Sequence, residues 1–353
     1  MGVDIMAAAK VTITDVAKAA NVSVSTVSRI LNNVDGKIKI SETTRQRVLD
    51  AALELGFSLN PFASALRTNR TGLMGVVIRD IADPFLVKLL KDIQWRCQEK
   101  GVELFISNSN YDIEKAYRQL GIMLNHWFDG LIILENVDNA FLDVLSEHGT
   151  PYVLITGDFS SSLRPVVHTN DKLGIELAID HLIQIGHRNI GFIGNQDGGV
   201  RERLSYFRSH SQKHGLIVNE EHVEANANSK SDIERFFDRL LHSDKMPTGI
   251  VCATDLLAIR LMNYAMQHSL QVPKDISVIG FDDIEMASEH FPTLTTIQQP
   301  LTQLSSVAID ILLNLIEDDS DEGIRLREVI VEPTLIIRQS TASPDQSRFS
   351  VDA

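Results

Sequence analysis

The chain has 353 residues, of which 44% are hydrophobic and 23% are charged; this globular composition excludes collagen-like and wholly disordered proteins and predicts two to three domains. No run of about 18 apolar residues occurs, and the first ten residues are too polar for a secretory signal, so a cytoplasmic protein without a membrane anchor is expected. Cys97 and Cys252 lie far apart and are expected to be reduced core thiols.

The net charge of −14 is unevenly distributed along the chain. Residues 1–70 hold nine Lys or Arg and six Asp or Glu, a charge of +3, whereas the remaining 283 residues carry −17. A polyanionic nucleic acid attracts a basic segment and repels an acidic one. The asymmetry therefore indicates a small N-terminal module that meets phosphate and a larger body that does not.

The N-terminal module begins with two short predicted helices. Thr12 followed by Asp15 resembles a capping box at the start of the first helix. This helix is predicted to end at Asn21, a residue that tolerates the positive φ of a tight turn. Ser23 is the predicted N-cap of a second helix over residues 24–31. The pattern is typical of a helix-turn-helix.

The second helix is predicted to expose Ser25 and Arg29 opposite its apolar face. Short hydroxyls and an arginine suit a recognition helix that contacts base edges and phosphates. A third helix is predicted from its N-cap Ser41 to Gly56, with Leu55 facing the core. The alternative for all three helices is a generic cap whose polar faces are simply solvated.

A further helix of at most two turns is predicted between this module and the body. Asn60 precedes Pro61, which is the pairing of an N-cap with proline at the first helical position. Helices this short are marginal alone, so the segment is expected to be ordered only beside a twin copy or on DNA. Leu66 next to Arg67 suits an apolar wedge in the minor groove flanked by phosphate contacts.

The rest of the chain alternates apolar β-type runs with amphipathic helices, which predicts βαβ units and parallel sheets. The predicted strands span 73–78, 102–106, 130–134, 152–155, 189–194, 249–253 and 276–281. The predicted helices lie near 85–99, 112–126, 140–148, 172–186, 201–214, 231–242 and 255–268. A boundary near 165–170 divides them into two doubly wound halves, whose ligands bind beyond the carboxyl ends of the strands.

Several stretches of the chain together form a family signature. The N-terminal region carries TITDVAKAANVSVSTVSRILN and SETTRQRVLDAALELGFSLNPFASALRTNRT, and the body carries GVVIRDIADPF, DGLIIL, AIDHLIQIGHRNIGFIG, DISVIGFDD, LTTIQQP and PTLIIRQST. Over residues 11–345 the chain resembles the LacI/GalR (lactose-repressor-like) family of bacterial transcriptional regulators. One departure is the loop NNVDGKIKIS between the second and third helices. It is longer than the usual loop of the family, so the family's contacts between this loop and the DNA backbone are not carried over.

The resemblance implies an α/β protein with an N-terminal all-α helix-turn-helix headpiece and a two-lobed, doubly wound core like that of periplasmic binding proteins. The chain is expected to cross between the lobes near residues 168, 298 and 330. The implied segments are a headpiece (1–58), a hinge helix and linker (59–71), an effector-binding core (72–345) and a tail (346–353). Lobe 1 takes about 72–167 and 300–328, and lobe 2 about 168–298 and 331–345.

The resemblance also implies a sequence-specific regulator, in the first place a repressor, of the bacterial nucleoid. It would bind a pseudo-palindromic double-stranded operator as a homodimer; a tetramer is less expected, because the tail lacks a heptad. The implied DNA-binding residues are Thr12, Ser23, Val24, Ser25, Thr26, Ser28, Arg29, Asn32, Asn60, Ala63, Leu66 and Arg67. Of these, Val24, Ser25 and Arg29 are predicted to reach bases.

A carbohydrate-like effector is expected between the lobes, because sugar hydroxyls pair with planar hydrogen-bonding groups and sugar C–H faces pack on aromatic rings. The implied contacts are Phe85, Arg203, Thr254, Asp282 and Gln299, with Asp83 and Glu135 as lesser candidates. Phe85 fits a core position equally well. Asp255 is interpreted as a helix N-terminal charge rather than a ligand contact.

The pocket departs from the family pattern, so no particular sugar is carried over. Thr254 replaces a usual asparagine, Tyr206 a usual glycine and Thr156 a common aspartate. Arg79, Arg201 and Arg203 lie near predicted strand ends and suggest a sugar acid or sugar phosphate as effector. The alternative is that Arg79 and Arg201 are solvated.

Other functional classes are less well supported. The glycines of residues 191–199 lack nucleotide-loop spacing, no nucleophile elbow occurs, and His181 and His187 do not share a helical face; we therefore predict no enzyme, no cofactor and no metal site. A regulator of the same family controlled by a partner protein or a non-sugar ligand is the alternative. A secreted sugar-binding protein conflicts with the headpiece and the missing signal sequence.

Overall fold

The computed structural model describes residues 11–31, 40–57, 70–125, 128–134, 137–155, 164–195, 198–216, 218–317 and 328–344. The chain divides into two compact units, one ending at Thr71 and the other beginning at Gly72. The predicted hinge helix around Leu66 and the predicted tail lie outside the described residues.

The first unit contains the three predicted helices: α1 (Ile13–Ala19), α2 (Val24–Leu31) and α3 (Glu42–Glu54). Their apolar faces meet in one core, in which Val16, Val27 and Val48 are completely buried. The predicted small helical module is confirmed.

Side-chain hydrogen bonds fix where α1 and α2 begin. The Asp15 carboxylate accepts from the Thr12 amide at 2.9 Å, which is one of the two bonds of the predicted capping box, and it also accepts from the Thr12 hydroxyl at 2.6 Å. Asn21 makes the turn with a φ of 51°. The Ser23 hydroxyl then accepts from the Thr26 amide at 3.2 Å. Both helix starts and the turn between them agree with the prediction.

The end of α3 differs from the prediction at one residue. Leu55 was expected to face the core as the last apolar position of the helix. The helix ends at Glu54, and Leu55 is exposed. Gly56 then reverses the chain with a φ of 63°, which brings Phe57 against the core in its place. A left-handed residue after the last turn redirects the chain, so helical periodicity no longer applies there.

The second unit contains two six-stranded sheets. The strands are β1 (Leu73–Ile78), β2 (Glu103–Asn108), β3 (Gly130–Leu134), β4 (Tyr152–Ile155), β5 (Val166–Thr169), β6 (Ile190–Ile193), β7 (Val223–Glu224), β8 (Gly249–Cys252), β9 (Ser277–Asp282), β10 (Thr295–Gln298), β11 (Glu328–Val331) and β12 (Thr334–Ile336). The first sheet has the order β11-β5-β4-β3-β1-β2, and the second β12-β10-β9-β8-β6-β7. Among the described strands, every pair is parallel except β10 with β12.

Helices connect the parallel strands and cover the sheets. They are α4 (Pro84–Glu99), α5 (Ile113–Leu124), α6 (Asn139–His148), α7 (Asp171–Gln184), α8 (Gly198–Lys213), α9 (Lys230–Leu241), α10 (Asp255–Gln267), α11 (Glu285–Glu289) and α12 (Leu301–Glu317). Because both faces of a parallel sheet are covered, its inner strands are apolar throughout. All five residues of β3 and all four of β8 are buried. The predicted doubly wound architecture is confirmed.

The chain passes between the two sheets three times. It leaves the first sheet after β5, returns to pack α12 against that sheet after β10, and leaves again between β11 and β12. Lobe 1 is therefore the first sheet with α4, α5, α6 and α12, and lobe 2 is the second sheet with α7 to α11. Residues at these passages lie where the two lobes meet.

Cys97 and Cys252 are both buried and unpaired, as predicted; burial raises the pKa of the Cys97 thiol to about 11. Among the described residues, no helix is both long enough and apolar enough to cross a membrane.

Candidate functional site

Arg203 on α8 is the centre of a buried polar network at the carboxyl ends of the lobe 2 strands. Its Nε and Nη2 donate to the two carboxylate oxygens of Asp171 at 3.0 and 3.1 Å. Its Nη1 donates to the Ala253 carbonyl at 2.6 Å, and the guanidinium carbon lies 3.6 Å from the ring centroid of Phe281. The two parallel hydrogen bonds to Asp171 and the stacked ring of Phe281 hold the planar guanidinium in one orientation.

Asp282 and Gln299 extend this network toward lobe 1. The Gln299 amide donates to Asp282 Oδ1 at 2.7 Å, and the Thr169 hydroxyl donates to Gln299 Oε1 at 2.5 Å. Thr169 ends a lobe 1 strand and Asp282 ends a lobe 2 strand, so the hydrogen bonds run from one lobe to the other. Burial raises the pKa of the Asp282 carboxyl, and Arg203, 3.7 Å away, acts in the opposite direction.

The backbone after β9 is held in an unusual conformation. Asp282 and Asp283 have φ values of 122° and 55°, in the region that non-glycine residues seldom adopt. Arg338 donates to Asp283 Oδ1 at 2.6 Å, and Gln298 donates to Asp283 Oδ2 at 2.7 Å. These two bonds fix the turn that aims the Asp282 carboxylate at Arg203.

A second contact between the lobes lies beside this turn. Lys88 on α4 of lobe 1 donates to the Asp283 carbonyl at 3.1 Å. Next to it is a cavity of about 540 Å³ with both charged and apolar lining. Its lining residues are Pro84, Val87, Lys88, Lys91, Asp283, Ile284, Glu285, Met286, Ser288 and Arg338. This cavity is large enough for a small molecule, but none of the predicted effector residues that the structure describes lines it, so it lies beside the Arg203 network and not within it.

The remaining predicted effector residues have structural partners of their own. Asp83 caps α4: its Oδ1 accepts from the Phe85 amide at 2.9 Å, and its Oδ2 accepts from Arg79 at 3.2 Å. Phe85 is buried in the hydrophobic core, which agrees with the core alternative. Thr254 caps α10 through the Leu257 amide at 3.2 Å. Glu135 lies outside the described residues.

Asp255 is the first residue of α10, where the sequence predicts a helix N-terminal charge, but its buried carboxylate is bonded to residues outside that helix. Its carboxylate accepts from the Thr296 hydroxyl and, at 2.9 Å, from the Ile284 amide. Burial raises its pKa to about 6, although both hydrogen bonds lower it.

The arginines considered for an anionic effector do not form an uncompensated cationic pair. Arg203 faces Asp171 and Asp282, and Arg79 faces Asp83. Arg201 is exposed. The argument for a sugar acid or sugar phosphate therefore loses its main observation, because carboxylates of the protein already compensate the guanidinium charges of Arg203 and Arg79.

Sequence reasoning missed several members of the network. Asp171, Thr169, Asp283 and Arg338 were not among the predicted site residues. A sequence signal exists for the first two: the strand VVHT is followed by Asn170, whose side chain caps α7 by accepting from the Leu173 amide. A strand end followed at once by a helix cap marks a site-forming edge in an α/β sheet.

The first unit presents a polar helix start at its surface. Val24 exposes 42% of its surface and Ser25 is also exposed, so an apolar and a polar group stand together at the N-terminus of α2. The Ser23 hydroxyl lies 2.8 Å from those of both Ser25 and Thr26. Ser28 and Arg29 are half-buried and Thr12 is exposed. The predicted DNA-binding residues Asn32, Asn60, Ala63, Leu66 and Arg67 lie outside the described residues.

Comparison with known proteins connects these features to a family. Residues 12–60 match the lacI family of bacterial regulatory proteins, and residues 179–341 match the periplasmic binding protein-like domain. The chain is 30% identical over 336 residues to the HTH-type transcriptional repressor PurR of Haemophilus influenzae strain PittEE, covering 94% of this chain and 99% of the relative. The chain belongs to the lacI family of bacterial regulatory proteins.

Other members of the lacI family are similar over nearly the whole chain. The HTH-type transcriptional regulator DegA of Bacillus subtilis strain 168 is 30% identical over 341 residues, covering 94% of this chain and 98% of DegA. A lac repressor dimer bound to operator and the anti-inducer ONPF is 25% identical, with a TM-score of 0.82 over 95% of this chain and all of that one. As a lacI-family member, the chain is a DNA-binding transcriptional regulator and not an enzyme.

A second solved structure matches a smaller share of the chain. A lacI-family regulator from Enterococcus faecium with bound ribose is 26% identical, with a TM-score of 0.67 over 77% of this chain and 99% of that one. The fold predicted from the sequence, a helix-turn-helix headpiece with a periplasmic-binding-protein-like core, is confirmed by these matches.

Proposed function

We propose that this lacI-family protein is a repressor whose affinity for its operator is set by a small neutral carbohydrate bound between the lobes. The observation that carries the proposal is the buried network of Arg203, Asp171, Asp282, Gln299 and Thr169 across the lobe boundary. A ligand that replaces some of these hydrogen bonds alters the free energy of lobe closure.

The chemistry of the network supports a polyhydroxylated ligand. A guanidinium offers only donors, an ionised carboxylate only acceptors and an amide both, so the set matches vicinal hydroxyls that each donate and accept. The carboxylates around Arg203 compensate its charge, which favours a neutral sugar over a sugar acid or sugar phosphate. The ribose bound to the Enterococcus faecium relative is consistent with this class.

The mechanism is a shift in population between lobe arrangements. Ligand binding favours the arrangement to which the ligand has the higher affinity, by its differential free energy of binding. The crossovers after Thr169 and Gln298 lie within the network itself, so a change there alters the angle between the lobes. We expect the segment 59–71, proposed as hinge helix and linker, to transmit that change to the headpiece, proposed as residues 1–58.

We assign DNA recognition to α2 and the hinge. In the proposed complex Val24 contacts a thymine methyl group, and Ser25 and Arg29 contact base edges. The other proposed residues of the headpiece contact the DNA backbone and thereby fix the position of the headpiece on the duplex. Leu66 enters the minor groove as a wedge. The lac repressor relative is bound to operator, which supports operator binding by this chain.

Features of the headpiece and of lobe 1 both favour a homodimer. Two headpieces related by a two-fold axis require a pseudo-palindromic site. On lobe 1, Trp95 of α4 and both Phe105 and Ile106 of the edge strand β2 are exposed. An uncovered apolar edge strand promotes association, and the lac repressor relative is a dimer, which supports association of two copies of this chain.

Thermal unfolding in the presence of candidate ligands tests the proposal. A panel of neutral sugars, sugar acids and sugar phosphates is added to wild-type protein and to Asp282→Asn. The matched control is Asp244→Asn, which changes an exposed aspartate that follows α9. A ligand that binds the folded state raises Tm. The proposal predicts a rise with a neutral sugar that is retained in Asp244→Asn and lost in Asp282→Asn. No rise with any neutral sugar contradicts it and favours a partner protein or a non-sugar ligand.

A further inference from the structure

A second cluster of ionisable side chains lies between α7 and α8, outside the cleft. Glu176 and Asp180 are four residues apart on α7, and His210 and His214 are four residues apart at the end of α8. The His214 amide donates to the His210 carbonyl at 3.2 Å, so the helical turn continues to His214. Side chains four apart share one face of a helix. Two carboxylates therefore face two imidazoles across the helix pair.

The distances between the polar atoms are short. Asp180 Oδ1 lies 2.7 Å from His210 Nε2 and 3.3 Å from His214 Nε2. One nitrogen or oxygen atom from each of these three residues lies within 4.8 Å of the other two. In a tetrahedral zinc site with bonds of about 2.0–2.2 Å, ligand atoms are about 3.3–3.6 Å apart. Small side-chain movements would convert the cluster into that geometry.

The buried imidazole of His210 provides an independent observation. His210 exposes only 5% of its surface, and among the described residues its Nδ1 has no hydrogen-bond partner. A buried polar atom left unpaired costs free energy. Glu176 Oε1, a possible acceptor, lies 3.4 Å from Nδ1. When the Nε2 of a histidine binds a metal, its Nδ1–H normally donates to such a carboxylate, so His210 is already placed between a ligand position and an orienting group.

We propose that Asp180, His210 and His214 bind one divalent transition-metal ion, with Glu176 orienting His210. Two imidazole nitrogens and one carboxylate oxygen suit Zn²⁺, Co²⁺, Ni²⁺ or Cu²⁺, whereas Mg²⁺ and Ca²⁺ prefer oxygen ligands alone. Asp180 exposes 53% of its side chain and His214 37%, which leaves a route for the ion and a coordination position for water.

The bound ion would link the two helices that carry the cleft network. Asp171, at the start of α7, and Arg203, on α8, form the charged pair described above. Asp180 follows Asp171 by nine residues, or about 13 Å along a helix. The metal site is thus separate from the effector site, and metal binding stabilises the packing of α7 on α8 without occupying the cleft.

Calorimetric titration of full-length, tag-free, chelator-treated protein with ZnCl₂ tests the proposal. The expected result is one Zn²⁺ per chain, a rise in Tm, and a loss of affinity of at least tenfold in both His214→Ala and Asp180→Asn. His242→Ala, which removes an exposed histidine from the end of α9, is the matched control and is expected to bind like wild type.

Cobalt provides a readout that a purely structural cluster does not produce. Co²⁺ bound by imidazole and carboxylate in a four-coordinate site gives visible absorption, which is expected in wild type and His242→Ala and absent in His214→Ala. A wild-type chain that binds less than one Zn²⁺, or equal affinity in His214→Ala and His242→Ala, would show that Asp180 only shares hydrogen bonds with two histidines. Either result overturns the proposal.

Discussion

Asp171 and Arg203 form a two-point ion pair, with Nε and Nη2 of the arginine 3.0 and 3.1 Å from the two carboxylate oxygens. The pair joins the first residue of α7 to the second turn of α8 and compensates a cation at the lobe boundary. The pair affects which ligands bind through its charge, because an Arg203 guanidinium without the Asp171 carboxylate would attract anions.

Asp171→Asn is expected to shift ligand preference toward anions. The substitution keeps the size of the side chain and removes one negative charge beside Arg203. We expect the ratio of affinities for a sugar acid and for its neutral parent sugar to rise about tenfold, on the order of one charge interaction in a partly buried site. Isothermal titration with both ligands measures the ratio. An unchanged ratio, or a change of equal size in the exposed control Asp244→Asn, would disprove the electrostatic role.

Gly280→Ala is expected to destabilise lobe 2. A Cβ at Gly280 would collide with the Asp255 carboxylate and would lie 2.8 Å from Leu294 Cδ2, and neither neighbour is free to move in a packed interior. The expected loss is about 2–3 kcal/mol in the free energy of unfolding. Gly121→Ala on α5 has open space around the new methyl group and is expected to be neutral or slightly stabilising. Urea denaturation of both variants compares them directly, and equal stabilities would contradict the packing described.

The pH dependence of stability has a component from Asp255. Its pKa of about 6 in the folded chain exceeds the value of 3.8 for an exposed carboxyl, so the folded chain holds the proton more tightly. The contribution to the free energy of unfolding is therefore greatest below pH 3.8 and is lost as the pH rises through about 6. As the pH rises from 5 to 7.5, the free energy of unfolding of wild type should fall by about 1 kcal/mol relative to that of Asp255→Asn. Urea unfolding followed by circular dichroism measures this difference, and a constant difference would exclude the shift.

Leu66→Ala is expected to weaken operator binding much more than binding to random duplex. A side chain inserted as a wedge strengthens binding only where the base-pair step is flexible enough to be kinked, whereas contacts to phosphates strengthen binding to any DNA sequence. Fluorescence anisotropy with a duplex obtained by selection from a random library, and with a scrambled duplex of equal length, separates the two effects. Equal losses on both duplexes would refute the wedge.

Much of the fold was predictable from local pattern. The boundaries of α2, β1, β3 and β4 agree with the prediction to the residue, since each is an apolar or capped segment with clear ends. The short strands β5 (VVHT) and β10 (TTIQ) were not predicted as strands. They are short and partly polar, and only pairing within the assembled sheets makes them strands.

The candidate site was predictable in part. Arg203, Asp282 and Gln299 were named from the sequence, and the structure brings them together in one network. Asp171 was missed because its role depends on how α7 approaches α8. The same holds for Asp180 and His210, which are 30 residues apart in sequence. Side-chain partners across helices follow from tertiary packing, which sequence spacing alone does not contain.

The most direct test of the central claim is operator affinity measured with and without ligand. Anisotropy of the selected pseudo-palindromic duplex is recorded with wild type, Asp282→Asn and Asp244→Asn, at saturating concentrations of the neutral sugar that raises Tm. The account predicts at least a tenfold change in Kd for wild type and Asp244→Asn, and none for Asp282→Asn. An unchanged Kd in wild type, or an equal response in Asp282→Asn, would contradict control of DNA binding from the cleft.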